Sequence, residues 1–498
     1  ARTSGSGTEQ LSYMLSGLVW PSSGSLRIDG RDVERLPAAV TGRRMAYVGP
    51  SAYHFAGSLR DNLLYGLKHR PLRPADPDKA AGHDYRMEAK RAGNPDFDVN
   101  ADWIDYAAAG AEGPQDINAR LLEVLAIVDL KGDAYRFGLT GTIDPERSPE
   151  VAEGVLMARA ALIERLRAGG NDDLVVRFEA DSYNGNASVA ENLLFGTPRV
   201  PEFASKALAQ NATVAAVLRE AELTEAFVGM GVTIAKTMVE IFADLPPGHP
   251  FFEQFSFISD DDLPEFRTII TRVESSGVDA LDEAARKLLL GLPFNYVEAR
   301  HRLGLVDGKM AERLVAARHR LAERLERDLP DAVEFYRADA YNAAASLQDN
   351  ILFGRLAFGQ AGAEQIIGDT LAEVLDDLGL RETVIEVGLD YNVGLGGARL
   401  SAIQRQKLAL ARALLRRPDL LIINEAAAAM DGAGQQRLVE RILDLREGQG
   451  VIWVLQRPEL ASLFDTILVM RDGRLVEQGS YGELTQRDSA FKDLVAAE

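Results

Sequence analysis

The stretch with the clearest chemical potential is SGSGTEQL, residues 4–11, almost at the start of the chain. Small residues let backbone N–H groups converge on phosphate oxygens, and a helix that begins behind such a loop favours an anion. The complete pattern G-x-x-x-x-G-K-[ST] adds a lysine for the phosphates and a hydroxyl for Mg²⁺. Here Arg2 replaces the first glycine, Thr8 the lysine and Glu9 the hydroxyl residue. Taken alone, the stretch fits an ordinary Gly/Ser turn better than a nucleotide site. The candidate phosphate-binding residues are Ser4, Gly5, Ser6, Gly7, Thr8, Glu9 and Gln10.

Bulk composition limits what the chain can do. A length of 498 residues predicts two or three domains. The net charge of -20 argues against nucleic acid as a partner, because phosphate-backbone binding needs a basic surface. The absence of cysteine excludes disulfides, thiolate metal sites and cysteine nucleophiles, and fits a reducing compartment. The sequence holds no apolar run long enough to span a bilayer. A start at Ala1 instead of methionine predicts a processed or truncated chain.

One short segment recurs three times, as SLRDNLLYG (58–66), SVAENLLFG (188–196) and SLQDNILFG (346–354). Serine followed three residues later by an acid is a capping box, which predicts a short helix. The closing glycine predicts a helix stop. A strand-like apolar run and then a tyrosine precede each copy, so the repeat unit is strand, turn and capped helix. This triplicate match favours internal duplication over chance. The tyrosines are Tyr53, Tyr183 and Tyr341.

The middle of the chain has helical periodicity, in INARLLEVLAIVDL and in MAERLVAARHRLAERLERDL. Pro71–Trp103 is rich in proline and charge and predicts a loop or hinge, and Asp244–Phe257 predicts a proline–aromatic connector. The six histidines show no metal-ligand spacing, and SDDDLPEF is more typical of an acidic helix start than of a cation site. We therefore expect residues 67–337 to form a mainly helical insertion that contains the second repeat.

The two ends of the chain mix strands and helices. Residues 1–66 predict a strand–turn–strand in SGSLRIDGRDV and a further strand in RRMAYVG. From residue 338 onward, QRQKLALARALLRR predicts an amphipathic helix, and PDLLIINEA and GVIWVLQ predict strands. TILVMRDGRLVEQGS predicts a hairpin with Asp-Gly at its turn. Residues 1–66 and 338–498 are thus expected to form one α/β domain interrupted by the insertion.

At five places, in the same order, the chain resembles the nucleotide-binding domain of an ATP-binding cassette protein, and most closely an exporter. The resemblance covers roughly residues 1–66 and 340–490 and implies an α/β P-loop NTPase fold. The first place is the phosphate loop, because the segment that follows it, EQLSYMLSGLVWPSSGSLRIDG, matches the family. The resemblance also implies that the strand that feeds this loop would lie before Ala1.

The second place, AYVGPSAYHFAGSLRDNLLYG, resembles the glutamine loop, which in the family contacts the attacking water, Mg²⁺ and the transmembrane partner. Pro50 stands at the glutamine position and offers no side-chain ligand. The third place, LSAIQ (400–404), resembles the L-S-G-G-Q signature. In the family the signature's serine and glycine backbone hold the γ-phosphate of a nucleotide on the opposing domain. This chain keeps Ser401 and Gln404, and the resemblance implies that both belong to that nucleotide site. Ile403 puts a β-branched side chain where close backbone approach is needed.

The fourth place, LLIINEAAAAMD, resembles the Walker B strand. Asn424 takes the position of the aspartate that supports Mg²⁺ and lacks its charge. Glu425 matches the general base that polarises water, and Asp431 matches an aspartate that contacts the opposing domain. At the fifth place Gln456 replaces the switch histidine; glutamine can hydrogen-bond a γ-phosphate but cannot carry a proton.

The resemblance implies two alternative functions. In the first, the chain binds ATP with Mg²⁺ to power export through a transmembrane subunit, and any hydrolysis would use Glu425 as the base, with Gln456 at the switch position. In the second, the substituted positions leave a non-hydrolysing scaffold or regulatory partner of the same assembly. Both imply a second ATP-binding cassette and a cytoplasmic, peripheral location at the inner face of a membrane. The repeats would offer further docking surfaces.

Overall fold

The computed structural model describes residues 6–28, 30–75, 80, 82–242, 257–259, 261–426 and 429–496. The chain is mixed helix and sheet and is 54% helical. It divides into two units, of which unit 1 comprises residues 1–138 and 385–498 and unit 2 comprises residues 139–384. The chain passes from unit 1 to unit 2 after residue 138 and returns after residue 384. Both points lie later in the chain than the expected boundaries at 66/67 and 337/338. That the middle of the chain is an insertion stays a prediction.

The elements are labelled in chain order. The helices are α1 (Thr8–Leu15), α2 (Ala38–Arg44), α3 (Leu59–Leu64), α4 (His83–Arg91), α5 (Ile117–Ile127), α6 (Lys131–Leu139), α7 (Pro149–Ala168), α8 (Val189–Leu194), α9 (Ala212–Glu220), α10 (Thr224–Ile241), α11 (Leu263–Ser276), α12 (Glu283–Gly291), α13 (Glu298–His301), α14 (Gly308–Asp328), α15 (Leu347–Leu352), α16 (Ala363–Asp377), α17 (Arg381–Gly388), α18 (Ala402–Leu415), α19 (Gly432–Leu445), α20 (Tyr481–Gln486) and α21 (Ala490–Ala496). The strands are β1 (Arg27–Ile28), β2 (Arg31–Asp32), β3 (Met45–Val48), β4 (Lys68–Arg73), β5 (Asp102–Ile104), β6 (Val175–Arg177), β7 (Gly196–Pro198), β8 (Val333–Phe335), β9 (Gly354–Leu356), β10 (Leu420–Asn424), β11 (Gly450–Val454), β12 (Ile467–Arg471) and β13 (Arg474–Gly479).

Unit 1 is built on a parallel sheet in the order β11–β10–β3. The central strand β10 is a continuous apolar run, as expected for a parallel strand covered on both faces, and Leu421, Ile422 and Ile423 are fully buried. Side chains of α5 and α18 complete its core. The predicted strands 45–48, 420–424 and 450–454 and the helix at 402–415 are thereby confirmed.

Both predicted hairpins of unit 1 are confirmed. β1 pairs antiparallel with β2, and β12 pairs antiparallel with β13. The second hairpin turns at Asp472 and Gly473, whose φ angles are 50° and 73°. Two successive positive φ values define the tight turn that matches the twist of the flanking strands, and Asp-Gly is a favoured pair for it.

The prediction that Pro71–Trp103 is a loop or hinge is wrong for much of that segment. The nine-residue helix α4 lies within it, and β4 pairs antiparallel with β5 at its two ends. The proline and charge content misled the prediction, because an exposed helix needs no apolar stripe. The predicted connector Asp244–Phe257 lies outside the described residues, except for Phe257, which packs at the core of unit 2.

Unit 2 has a helical core and two short antiparallel strand pairs. The predicted helix at 308–328 is confirmed as α14, whose buried face joins α8, α9 and α10 in one apolar cluster. β6 pairs with β9, and β7 pairs with β8. Four aromatic rings meet beside these strands, with Phe178 stacked on Tyr336 at 4.4 Å between ring centroids. Phe195 and Phe353 pack edge-on against that pair.

The three predicted capped helices are confirmed as α3, α8 and α15. In each, the serine hydroxyl accepts a hydrogen bond from the backbone N–H three residues later. The asparagine of each helix, Asn62, Asn192 or Asn350, is buried and ties its side chain to the preceding turn. The three helices therefore share the serine cap and a buried asparagine bonded to the preceding turn, although the donor in that turn lies seven residues before Asn62 and eight residues before Asn192 and Asn350.

The predicted role of the closing glycine is wrong. Gly66, Gly196 and Gly354 all lack a positive φ, and the left-handed residues that end α8 and α15 are instead Phe195 and Phe353. The glycines are needed for close approach. A Cβ on Gly196 would lie 2.5 Å from the Glu334 carbonyl oxygen, and one on Gly354 would lie 2.5 Å from that of Val176.

Candidate functional site

The phosphate loop passes directly into a helix. Gly7 is the N-cap of α1 with a φ of 84°, and the Leu11 N–H donates to its carbonyl oxygen at 3.0 Å. The N–H groups of Thr8, Glu9 and Gln10, in the first helical turn, have no partner within the helix. The hairpin turn lies against this loop, because the Gly473 N–H donates to the Ser6 carbonyl oxygen at 3.1 Å. The candidate residues Ser4 and Gly5 lie outside the described residues.

Side chains of this loop satisfy one another. The hydroxyls of Ser6 and Thr8 lie 3.0 Å apart, and the Tyr13 hydroxyl donates to Glu9 Oε1 at 3.0 Å. The hydrogen bond to Glu9, assisted by burial, raises the pKa of Tyr13 to about 12. Gln10 is exposed in the same turn. The carboxylate at the position expected for a magnesium hydroxyl therefore serves as a hydrogen-bond acceptor within α1.

Asn424, a further candidate, is the last residue of β10. Asn424 is buried, and its Nδ2 donates to the Tyr47 hydroxyl at 3.2 Å. The Tyr47 ring lies 5.7 Å from that of Tyr13, so two tyrosines connect Asn424 with Glu9. Sequence analysis missed both tyrosines, which follow no motif and are found only through the packing of α1 on the sheet.

Glu425 and Gln456, the two candidate catalytic residues, contact each other. The Gln456 Nε2 donates to Glu425 Oε2 at 2.8 Å. Glu425 has a φ of 55°, which is uncommon for a side-chain-bearing residue and places it just beyond the last residue of β10. A carboxylate held by an amide can polarise water, but the amide cannot accept a proton from it.

The remaining candidates cap helices away from the phosphate loop. Ser401 and Gln404 form a capping box at the start of α18, and Gln404 Nε2 also donates to Asp133 at 2.8 Å. Asp431 caps α19 through the Gly434 N–H at 2.6 Å. Ile403 is exposed at the start of α18. Among the described residues, no hydrogen bond joins Ser401, Gln404 or Asp431 to the phosphate loop.

The donor set fits a phosphate group better than it fits Mg²⁺. The free N–H groups at the start of α1 suit phosphate oxygens. For the cation, Asn424 supplies no charge and Glu9 is engaged by Tyr13. Within the described ranges there is no cluster of three histidine, aspartate or glutamate residues that could hold a metal ion.

A cavity of about 820 Å³ opens beside β3 and extends from Glu9 and Tyr13 to Arg412 and Arg416 on α18. Its wall includes the turn that carries Pro50, the residue at the glutamine-loop position. Burial lowers the pKa of both arginines, and their mutual repulsion adds to the effect at Arg412. Sequence analysis did not single out either arginine.

Arg412 has a counterpart near each of the other capped helices. Arg159 on α7 and Arg318 on α14 are buried, and burial lowers the pKa of each to about 10. All three arginines follow an alanine and stand eleven residues after the helix N-cap, which is Ser148, Asp307 or Ser401. That spacing was the signal that would have found them.

The sequence is similar to several known proteins over part of its length. The chain is 38% identical over 149 residues to the heterocyst differentiation ATP-binding protein HepA of a Nostoc species, covering 30% of this chain and 24% of that protein. It is 37% identical over 155 residues to the glutathione/L-cysteine transport system ATP-binding/permease protein CydD of Escherichia coli, covering 31% and 25%. It is 27% identical over 316 residues to the ATP-dependent lipid A-core flippase of Hahella chejuensis, covering 62% and 51%.

The chain thus spans between about a quarter and about half of the length of these relatives. A solved bacterial Atm1-family ABC exporter with ATP bound matches 22% of this chain and 19% of its own, at 34% identity and a TM-score of 0.21. No family model matches. In its matched parts the chain is similar to proteins named as ATP-binding or ATP-binding/permease proteins. In the described part of the chain, no helix is both long and apolar enough to cross a bilayer.

Proposed function

We propose that this chain is the nucleotide-binding cassette of an export transporter. The observation that carries the proposal is the start of α1, where the left-handed Gly7 precedes three backbone N–H groups that have no partner within the helix. Those groups, on Thr8, Glu9 and Gln10, would hold the phosphates of ATP. The loop makes this contact without a lysine, so the expected affinity is modest.

The same site lacks what hydrolysis requires. Glu425 is the one base at the end of β10, and its partner Gln456 cannot take over a proton. Asn424 and Glu9 do not assemble a Mg²⁺ site, because one is uncharged and the other accepts from Tyr13. We therefore propose that ATP is bound here and is not turned over by this chain alone.

A complete assembly would need two partners. A transmembrane subunit would supply the export path, and a second cassette would face Ser401, Gln404 and Asp431, as the exporter resemblance implies. The chain would then lie at the inner face of a membrane. The three capped helices, with their shared hydrogen-bond pattern, would be copies of one duplicated unit.

A second candidate, a scaffold that binds no nucleotide, is favoured by the closeness of the hairpin turn to the phosphate loop. A Cβ on Gly7 would lie only 2.8 Å from Gly473 Cα. Together with the hydrogen bonds that occupy Thr8 and Glu9, this contact leaves little room for the loop to adjust around a phosphate.

Calorimetric titration with ATP separates the two candidates. We expect saturable binding by the wild type and at least tenfold weaker binding, about 1.4 kcal/mol, by Gly7→Val. Valine is strained at a φ of 84° and collides with Gly473. The matched control is Gly24→Val, which replaces a glycine of similar φ with open space around it. If the wild type did not bind ATP at millimolar concentration, the scaffold that binds no nucleotide would be the remaining candidate.

A further inference from the structure

The three arginines that face the capped helices do not make the same contacts. In unit 2, Arg318 donates to the carbonyl oxygens of Glu179, Ala180 and Ser182, and its Nε donates to the Asn192 carbonyl oxygen at 2.6 Å. These first three acceptors stand four, three and one residues before the tyrosine of the turn. Its guanidinium lies 4.6 Å from the centre of the Phe195 ring.

Arg159 repeats this arrangement at the other capped helix of unit 2. It donates to the carbonyl oxygens of Arg337, Ala338 and Ala340, which again stand four, three and one residues before a tyrosine. Its Nε donates to the Asn350 carbonyl oxygen at 2.7 Å, and its guanidinium lies 4.4 Å from the centre of the Phe353 ring. Two independent examples therefore define a closed turn, wrapped around an arginine.

The turn in unit 1 is open. Among the described residues, Arg412 donates to the Tyr53 carbonyl oxygen alone, from two nitrogens at 3.2 Å. By the same spacing, its missing acceptors are the carbonyl oxygens of Gly49, Pro50 and Ala52. All three residues line the cavity of about 820 Å³ that Arg412 also lines.

An aromatic ring takes the place that the arginine holds in unit 2. Tyr65 is the counterpart of Phe195 and Phe353, seven residues after the capping serine, and the Phe55 ring packs on it at 4.0 Å. The counterparts of Phe55, two residues after the turn tyrosine, are the small residues Gly185 and Ala343. In unit 2 the ring is therefore free to receive the guanidinium.

The open turn is also displaced by one residue along the chain. Asn62 Oδ1 accepts from the N–H of Phe55, two residues after Tyr53. In unit 2 the equivalent bonds come from Asn184 and Asn342, one residue after the tyrosine. Closure would transfer this hydrogen bond from Phe55 to His54.

We propose that the turn 49–55 has a second, closed arrangement, with Arg412 as its positioning residue and Phe55 as the group that holds it open. In the closed arrangement Phe55 leaves Tyr65, the Arg412 guanidinium lies on that ring, and it binds the carbonyl oxygens of Gly49, Pro50 and Ala52. The turn carries the residue at the glutamine-loop position, so closure moves Pro50 relative to the sheet. The inference goes beyond nucleotide binding and does not depend on it.

The test uses the absence of native cysteine. Spin labels at Ser51→Cys, on the exposed turn, and Ala402→Cys, on the exposed start of α18, report one distance within unit 1 in the full-length chain. We expect Phe55→Ala to shift most of the population to a second distance. Adding Arg412→Gln should restore the original distance, whereas adding Arg416→Gln, which alters another cation of the same cavity, should not.

Two results would overturn the proposal. One is a Phe55→Ala distribution identical to that of the labelled parent. The other is a second distance that persists when Arg412 is replaced, because the closed turn would then not depend on the guanidinium. Tryptophan emission verifies folding of each variant, since Trp20, Trp103 and Trp453 all belong to unit 1.

Discussion

At the scale of single residues, the site keeps its backbone and loses its charges. Glu9, Tyr13, Tyr47 and Asn424 form a connected row that serves their own hydrogen-bonding needs. Such a row gives the polar side chains at these positions partners within the protein. The chemical consequence is a loop suited to hold an anion and poorly suited to gather a divalent cation.

His54 is the residue whose protonation should matter most for stability. It is fully buried beneath the turn, its Nε2 lies 3.0 Å from the Arg405 carbonyl oxygen, and burial followed by the charge of Arg412 lowers its pKa to about 4. The unfolded chain therefore takes up the proton first as the pH falls, and stability is lost between about pH 6.5 and pH 4. From pH 7 to pH 5 we expect this histidine to cost unit 1 about 2 kcal/mol.

Urea unfolding followed by tryptophan emission at pH 7 and pH 5 measures this loss. His54→Leu should abolish most of the difference, whereas His319→Leu, at an exposed position in unit 2, should leave it unchanged. An equal pH dependence in the wild type and His54→Leu would show that another group is responsible.

At the scale of elements, a long helix with an arginine is matched to a short capped helix in three places. Buried backbone carbonyls need donors, and a guanidinium with five N–H groups can serve a whole turn. In unit 2 this requirement is met by Arg159 and Arg318, whereas the turn in unit 1 leaves its carbonyls at a cavity. The same pair of helices can therefore hold a closed or an open turn, according to whether an arginine or Phe55 packs on the aromatic ring at the end of the capped helix.

The difference predicts unequal costs of truncation. Arg318→Ala and Arg159→Ala each leave one buried carbonyl oxygen, of Asn192 or Asn350, and three partly buried ones without their donor, and should lower the free energy of unfolding by about 3 kcal/mol. Arg412→Ala loses contact with one carbonyl oxygen and should cost about 1 kcal/mol or less. Urea unfolding followed by far-ultraviolet circular dichroism gives the ranking.

Arg318→Lys is the matched control for charge. It should recover only part of the loss, because an ammonium group cannot reach all the acceptors of a planar guanidinium. Equal costs at the three arginines would contradict the distinction between closed and open turns.

At the scale of the whole molecule, the sequence predicted elements better than their grouping. Strong local signals carried the predictions that succeeded: serine caps, the apolar run of β10 and the Asp-Gly turn of β12–β13. The exposed helix α4 was not predicted, because its mostly charged sequence has no apolar residues at helical spacing. Which residues belong to unit 1 and which to unit 2 was not predicted, because it depends on which distant segments pack together and no local pattern encodes that.

The site was predictable to a similar degree. The motif positions Glu425, Gln456 and the start of α1 lie at the ends of core elements, and their role in a site stays a prediction. The tyrosines that link Glu9 to Asn424 could not be found, because their role arises from packing between α1 and β3. Arg159, Arg318 and Arg412 could have been found, since their shared spacing from the N-cap is visible in the sequence.

The central claim is that the phosphate loop binds ATP through its backbone and without Mg²⁺. Its most direct test is a calorimetric titration of the wild-type chain with ATP, once with excess Mg²⁺ and once with a chelator. We predict saturable binding with the same affinity in both, because no described residue assembles a cation site beside Gly7. Binding that requires Mg²⁺ would contradict the account and restore Glu9 or Asn424 as a metal ligand.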